Sequence, residues 1–415
     1  MDRVSVILLP EGEAPAGEEL ISSLEENCES IEELVTAVPV TGELPFPVKY
    51  VPPEGKKLGE LRNELVKAAL SDYVLFISPG SQMEDGFIEE LIYEQEESGA
   101  DLVFPNLIRV YGGQEQVKNF QDPFEREGIL VSSLAVEDFL PQWGVLLSKG
   151  KIEELGGFDP TLDDYDFYHF VYKGLKGGIS IKLAELSYLR QKVVETFVDT
   201  SYRSFVLRSF VLKNFDWKRE LFPFLSWDEN PKAAQATALT LIAERLSAYL
   251  DLFNTSEFLR QALVEFHNGE TFRRLIEVYR LMGLFEEARR LLKTPQGVDE
   301  ELVKRELEMT EKIESLVNEL EKGVEEGKVQ EVLKAAVDTA SVYDGAPIYN
   351  LLGVINWLAK RPAEAYRFFY KAVTMNPINQ DYLYNLSGAA KELGKEDEVF
   401  GLLERLLGDK VAFGR

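Results

Sequence analysis

Tyr73-Val74-Leu75-Phe76-Ile77-Ser78-Pro79-Gly80-Ser81 sets five strand-forming residues directly against a short neutral turn. An apolar run this brief reads as a strand covered on both faces. Upstream, Leu58, Leu61, Leu65 and Ala69 fall on a helical period, so a helix is predicted over 58–70, broken by Ser71-Asp72. Downstream, Ser81 and Glu84 stand at capping-box spacing for a helix over 84–98, which Gly99 closes before a strand over 101–105. The chain opens on a second apolar run, 4–9. Strands alternating with helices in this rhythm predict a mostly parallel sheet with helices on both faces. Ligands of such sheets sit at the carboxyl ends of the strands, which makes the 78–81 turn the expected seat of chemistry.

Further out the pattern continues. Leu20, Ile21, Leu24, Ile31 and Leu34 predict a helix over 18–34, and a helix over 164–173 is followed by a glycine-rich stretch, 174–178, that turns into a strand over 179–183. Residues 217–231 are rich in aromatics and read as a packed linker. Beyond Asn230-Pro231 the texture changes: Leu239, Ile242, Leu246, Leu250 and Phe253 share a face of a helix over 234–253, and nothing later resembles a strand. Leu352, Gly353, Ala365, Phe369, Ala372 and Pro377 carry the small and large residues of a tetratricopeptide repeat. A shift by its period of about 34 residues reaches Leu386, Ser387, Val399 and Leu403 as a looser copy. Tyr279, Gly283, Ala288 and Leu292 follow the same logic earlier. The expected organisation is an α/β domain over 1–215, a linker over 216–232 and an all-α helical-repeat region over 233–415, clearest at 346–409.

Composition narrows the function classes. The chain has 415 residues and a formal charge of −27. Nucleic acid and anionic lipid are therefore disfavoured partners, since the most basic stretch, 213–219, is interrupted by Asp216 and aromatics. A single cysteine, Cys28, allows no internal disulfide and fits a reducing cytoplasm. The opening apolar run is too short for a signal peptide, and no stretch approaches the ~20 apolar residues that span a bilayer. With two histidines and one cysteine, any metal is expected to be a hard cation on oxygen ligands rather than zinc. No Walker loop, dinucleotide glycine fingerprint or Gly-x-Ser-x-Gly elbow is present.

Val4-Ser5-Val6-Ile7-Leu8-Leu9-Pro10, then Leu61-Arg62-Asn63 with its following strand, then Leu155-Gly156-Gly157-Phe158-Asp159-Pro160, Asp163-Asp164-Tyr165-Asp166 with Gly174, and Tyr188-Leu189-Arg190 occur in this order. The set resembles a GT-A glycosyltransferase domain of the family-2 type, over roughly the first half of the chain. The resemblance implies a nucleotide-diphospho-sugar transferase-like fold and inverting transfer of a sugar from a nucleotide sugar to an acceptor. Asp164 matches the family's catalytic base, with Asp163 as the neighbour whose charge raises its pKa. The nucleotide-sugar side is then Pro10, Arg62, Asn63, Ser78, Gly80, Ser81 and Arg190. The acceptor side is Trp143, Gly157, Phe158 and Asp159.

The sequence departs from that family in three places. The family holds a divalent cation on an aspartate motif directly after the central strand, and here that position reads Ser78-Pro79-Gly80-Ser81. No metal ligand is assigned, so a magnesium or manganese ion would have to be held in another way, or the diphosphate stabilised by the turn and by Arg62 or Arg190. The acidic turn for the base is replaced by Pro39-Val40-Thr41-Gly42, with Glu43 as the substitute in a slipped register. The arginine after the acidic helix start gives way to His169-Phe170. Structural alternatives stand beside these roles: Asp163 and Asp164 as helix caps, Arg62 and Asn63 in a surface salt bridge, Trp143 as a buried aromatic, His169 half-buried on its helix and His267 facing solvent. The functional alternative is a non-catalytic GT-A scaffold or sugar-recognition module. In both readings the repeats offer a concave surface to a protein or glycan partner.

Overall fold

The computed structural model describes residues 3–12, 14–111, 114–119, 141–192, 199–295 and 297–411, without the side chains of 111, 163, 164 and 409–411. The chain divides into two compact units, Met1–Val198 with Phe210–Pro223 and Asp199–Ser209 with Phe224–Arg415.

The first unit is built on one sheet. Its strands are β1 (Val4–Leu8), β2 (Ile31–Thr36), β3 (Val48–Tyr50), β4 (Tyr73–Ile77), β5 (Ser81–Met83), β6 (Leu102–Tyr111), β7 (Gln114–Lys118), β8 (Val145–Ser148) and β9 (Ile181–Lys192). Their order is β3-β2-β1-β4-β8-β6-β9-β5, with β7 beside β6. β1 pairs in parallel with β2 and β4, β2 with β3, and β6 with β9. β8 runs antiparallel between β4 and β6, and β5 and β7 run against β9 and β6. β1, β2, β3, β4, β6 and β9 thus point one way, which is the mostly parallel sheet expected. The apolar runs at both central strands explain their place: every residue of β1 is buried, and Val74, Leu75, Phe76 and Ile77 are fully so.

Helices α1 (Glu18–Glu26), α2 (Leu58–Ala68), α3 (Phe87–Ser98), α4 (Lys149–Glu154) and α5 (Asp166–Lys176) connect the strands. Three of these differ from the periodicity. The helix expected over 18–34 stops at Asn27, Cys28 lies in a 3₁₀ turn, and Ile31 and Leu34 belong to β2. Asn27 ends it by donating to Ser23 O (2.9 Å) and Glu84 O (3.0 Å) while accepting from Ile88 N (3.3 Å). The Ser81–Glu84 capping box does not form, because Ser81 is committed to β5 and α3 starts after Gly86 at φ +76°. The helix expected from 164 begins at Asp166, after a 3₁₀ segment Pro160–Tyr165.

The second unit holds helices only, among the described residues. They are α6 (Ser201–Val206), α7 (Pro231–Ala248), α8 (Leu252–Glu265), α9 (Gly269–Leu281), α10 (Phe285–Leu292), α11 (Glu300–Glu325), α12 (Val329–Ala340), α13 (Ala346–Leu358), α14 (Pro362–Met375), α15 (Gln380–Leu393) and α16 (Glu396–Val411). The helix expected over 234–253 is two, parted where Leu250 adopts φ +61° and Asp251 caps α8 by accepting from Asn254 N (3.2 Å). Ala365, Phe369 and Ala372 are buried, and a Cβ on Gly353 would fall 2.4 Å from the Phe369 ring, so a small residue there lets α13 close on α14. The stretch 216–232 gives a π-helical turn, Trp217–Leu221, to the first unit and the start of α7 to the second. No helix among the described residues is long and apolar enough to cross a membrane.

Candidate functional site

The chain runs from β1 outward to β2 and β3, then returns through α2 to β4 on the other side of β1. The strand order therefore reverses between β1 and β4, and the crevice beyond their carboxyl ends is where an open α/β sheet takes a ligand. Leu9 N donates to Ile77 O (3.1 Å), which sets Pro10 and Glu11 beside the turn that follows β4. That turn is closed on itself. Ser78 N donates to Ser81 Oγ (3.0 Å), the two hydroxyls lie 3.3 Å apart, and Ser81 N donates to Ser78 O (3.0 Å). Ser78 and Ser81 are buried; Pro10, Glu11 and Gly80 are half-buried. Burial pushes the Glu11 carboxyl above its ordinary range, against the hydrogen bond it accepts from the Ser78 side chain.

The turn is also fastened to the end of β9. Lys192 N donates to Gly80 O (2.8 Å), and a Cβ on Gly80 would meet Lys192 O at 2.8 Å and Lys192 Cβ at 3.6 Å. Glycine is required by that approach. Lys192 is exposed. Neither Glu11 nor Lys192 was singled out from the sequence. Glu11 was available to it, since it follows Pro10 at the end of a strand expected beside the central one. Lys192 was not, because its place depends on the β5–β9 register, Ser81 opposite Gln191.

A second group forms where α2 meets the glycine–phenylalanine–aspartate turn. Asn63 Nδ2 donates to Phe158 O and Asn63 Oδ1 accepts from Phe158 N, both at 2.8 Å. Gly157 sits at φ +73°, with the site of a Cβ 2.5 Å from Asn63 Oδ1. Phe158 is buried against Phe76 (5.6 Å, edge-on), Phe170 (4.6 Å) and Phe167 (6.4 Å). Arg62 is wholly buried. Its Nη1 pairs with the equally buried Asp166, and its guanidinium lies 5.5, 5.0 and 5.8 Å from the Phe76, Phe158 and Phe167 rings. This is neither the surface salt bridge nor an open ligand contact. Asp166 Oδ1 also accepts from Phe167 N (2.7 Å), so the same carboxylate sits in the first turn of α5.

The remaining candidates are distributed around these two groups. Trp143 is buried ahead of β8. Asp159 accepts from Thr161 N (2.9 Å) and Thr161 Oγ1 (2.7 Å). Burial raises its proton affinity, but those bonds, His169 and Lys173 outweigh it and hold the carboxyl below its usual range. Burial lowers the His169 pKa, Asp159 opposes and Lys173 adds, and the ring packs edge-on against Phe210 at 4.7 Å. Arg190, on β9, pairs with Glu115 of β7. Asp163 and Asp164 fall in the Pro160–Tyr165 segment, and their side chains lie outside the described residues. Among the described residues no three His, Cys, Asp or Glu side chains gather as a metal cluster would. The structure thus brings Pro10, Ser78, Gly80 and Ser81 together at the switch point. It gathers Asn63, Gly157, Phe158 and Asp159 with Arg62 beside them, and Phe76 of β4 links the two groups.

No family model matches the chain, and no curated protein matches it. Among solved structures it is similar to the crystal structure of S. aureus TarS, at 12% identity and TM-score 0.43, over 74% of this chain and 55% of that one. It is likewise similar to S. aureus TarS 1-349 (12%, TM-score 0.43, 74% of this chain and 91% of that one). The third likeness is to TarS 1-349 in complex with UDP-GlcNAc (12%, TM-score 0.42, 74% and 92%). This chain spans just over half the length of the longer TarS chain.

Proposed function

We propose that the first unit is a glycosyltransferase domain that binds a nucleotide sugar in the crevice between the carboxyl ends of β1 and β4 and transfers the sugar with inversion. The observation that carries this reading is the reversal of strand order there. Support comes from Pro10, Ser78, Gly80 and Ser81 lying beyond the carboxyl ends of those two strands, where open sheets of this kind take ligands. Asp164 is the general base. It takes the proton of an acceptor hydroxyl as that oxygen attacks the anomeric carbon from the face opposite the diphosphate, while the bond from the anomeric carbon to the diphosphate oxygen breaks. The 78–81 turn borders the leaving group, while its serine N–H groups and hydroxyls are already engaged within the turn and on Glu11. The donor set there does not fit a divalent cation held in the family's way: two serines and the single carboxylate of Glu11, which burial biases toward its protonated form, offer too little negative charge. The leaving group is therefore met by protein groups rather than by a carboxylate-held cation.

A second reading, a non-catalytic sugar- or nucleotide-recognition scaffold, is favoured by the internal engagement of Arg62, Asn63 and Phe158, which all serve packing. In either case we propose that helices α13 to α16, with Gly353 set against Phe369 as in a tetratricopeptide repeat, form a surface for a protein or glycan partner. The test is donor turnover. Wild-type protein incubated with UDP- and GDP-sugars is expected to release nucleoside diphosphate, and Asp164→Asn to slow that release about 100-fold or more. Calorimetric binding of the same donors without any turnover selects the scaffold. Binding of none of them removes the nucleotide-sugar reading.

A further inference from the structure

A nucleoside diphosphate leaving group needs positive charge close to its oxygens as the sugar departs. The sequence offered Arg62 and Arg190 for this, and neither is at hand. Arg62 is fully buried on Asp166, and Arg190 is paired with Glu115. Lys192 is in a different position. Its backbone is hydrogen-bonded to Gly80, its Cβ lies beside the serine turn, its side chain is exposed, and it makes no ion pair among the described residues. An ammonium on a flexible four-carbon stem rooted there has the length to reach over the turn, and such a group binds phosphate as a point charge.

Resting on the nucleotide-sugar reading of the same crevice, we infer that Lys192 neutralises the diphosphate, so that the site works without a carboxylate-held divalent cation. The bond electrons pass to the diphosphate oxygen as the anomeric carbon is attacked, the acceptor proton goes to Asp164, and Lys192 takes up the charge that develops. Glu11, which accepts from the Ser78 hydroxyl, is the one described carboxyl in hydrogen-bonding contact with this turn. On this assignment it opposes the anion rather than recruiting a metal.

The experiment is calorimetric titration of the full chain with UDP and with GDP, in EDTA and in manganese, for wild type, Lys192→Met, Lys192→Arg and Glu11→Gln. Wild type is expected to bind in EDTA with a Kd that manganese changes by less than about threefold. Lys192→Met is expected to weaken binding about tenfold or more, the loss of one charge-assisted contact, and Lys192→Arg to keep most of it. Glu11→Gln should bind as tightly as wild type or tighter. Lys192 is exposed, so unchanged thermal melting of its variants separates lost binding from lost fold. Binding that needs manganese and disappears in Glu11→Gln overturns the inference in favour of a metal on Glu11. Lys192→Met binding as well as wild type overturns it while leaving the nucleotide site standing. No binding by wild type in either buffer removes the nucleotide site and the assignment with it.

Discussion

Replacing Asp166 by asparagine leaves the Arg62 guanidinium charged, buried and without a counter-ion. Both side chains are completely inaccessible, and Arg62 Nε and Nη2 have no hydrogen-bond partner, so the carboxylate is the main compensation for the charge. Removing one member of a buried ion pair costs about 3–5 kcal/mol. The three phenylalanine faces at 5.0 to 5.8 Å return about 1–2 kcal/mol of that. The expected destabilisation of the first unit is about 3 kcal/mol for Asp166→Asn. It is larger for Arg62→Met, which takes the cation from the buried Asp166 carboxylate and leaves it no ring face to help it. The double variant Arg62→Met/Asp166→Asn buries no net charge and should lie within about 2 kcal/mol of wild type, giving a strongly non-additive cycle. Because the chain has two units, a single melting curve mixes their transitions. Hydrogen exchange of the β4 amides isolates the first unit, where about 3 kcal/mol reads as exchange roughly 100-fold faster. Single variants that cost less than about 1 kcal/mol, or a double variant equal to their sum, would refute this account of the buried pair.

Asn63→Ala removes both hydrogen bonds to the Phe158 backbone and leaves a buried N–H and C=O unpaired; a loss of about 2–3 kcal/mol and faster exchange of the Phe158 amide are expected. Gly157→Ala combines φ +73° with a 2.5 Å approach to Asn63 Oδ1 and should cost about 1–3 kcal/mol by the same exchange measurement. In the second unit, Gly353→Val drives a side chain into Phe369 and is expected to cost about 1–3 kcal/mol, read as faster hydrogen exchange of the α13 and α14 amides. The Glu270 carboxyl is lowered from 4.5 to about 2 by hydrogen bonds from Arg273 and then Arg274. A carboxylate depressed on folding stabilises above its unfolded pKa and loses that contribution as pH falls. Glu270→Gln should therefore flatten the pH dependence of stability between about 4.5 and about 2, and change stability at neutral pH by under about 1 kcal/mol because the pair is exposed.

The sheet was legible where burial is two-sided. β4 is an unbroken apolar run and β1 is interrupted only by Ser5, and both are too short for a helix to compete. It differs where one spacing suits two structures: Ile31 and Leu34 continue the helical spacing of Leu20 and Leu24, yet they lie on opposite faces of β2, both of them buried, and Asn27 decides between the two through partners at Glu84 and Ile88. The capping box at Ser81 failed for a related reason, since the serine oxygen already accepts from Ser78 N inside the turn. At the candidate site, glycine and the Gly157-Phe158-Asp159 turn announced themselves locally. The fate of Arg62 did not, because its partner is 104 residues away and only the packing of α2 on α5 brings them together.

Gly59, Arg62 and Asn63 stand three and four residues apart and share one face of α2. Each meets the segment that carries the acidic pair, at a different point along it. Asn63 grips Phe158, Gly59 lies against the Asp159 and Pro160 backbone with the site of a Cβ 2.9 Å from Pro160 Cα, and Arg62 holds Asp166. The 3₁₀ segment with Asp163 and Asp164 is thereby fixed at both ends by a single rigid helix. Stability alone is a weak reason for this arrangement, because a buried ion pair rarely outperforms an apolar pair of the same volume. Holding a short segment at a defined place is a better one, since a general base must lie within hydrogen-bond reach of the proton it removes. On the proposed reading the loss of carboxylates from the donor turn and the stiff support of the acidic pair then answer different demands. Leaving-group charge can be met by a lysine on a neighbouring strand, whereas the base has to be positioned, and α2 is the element that does so.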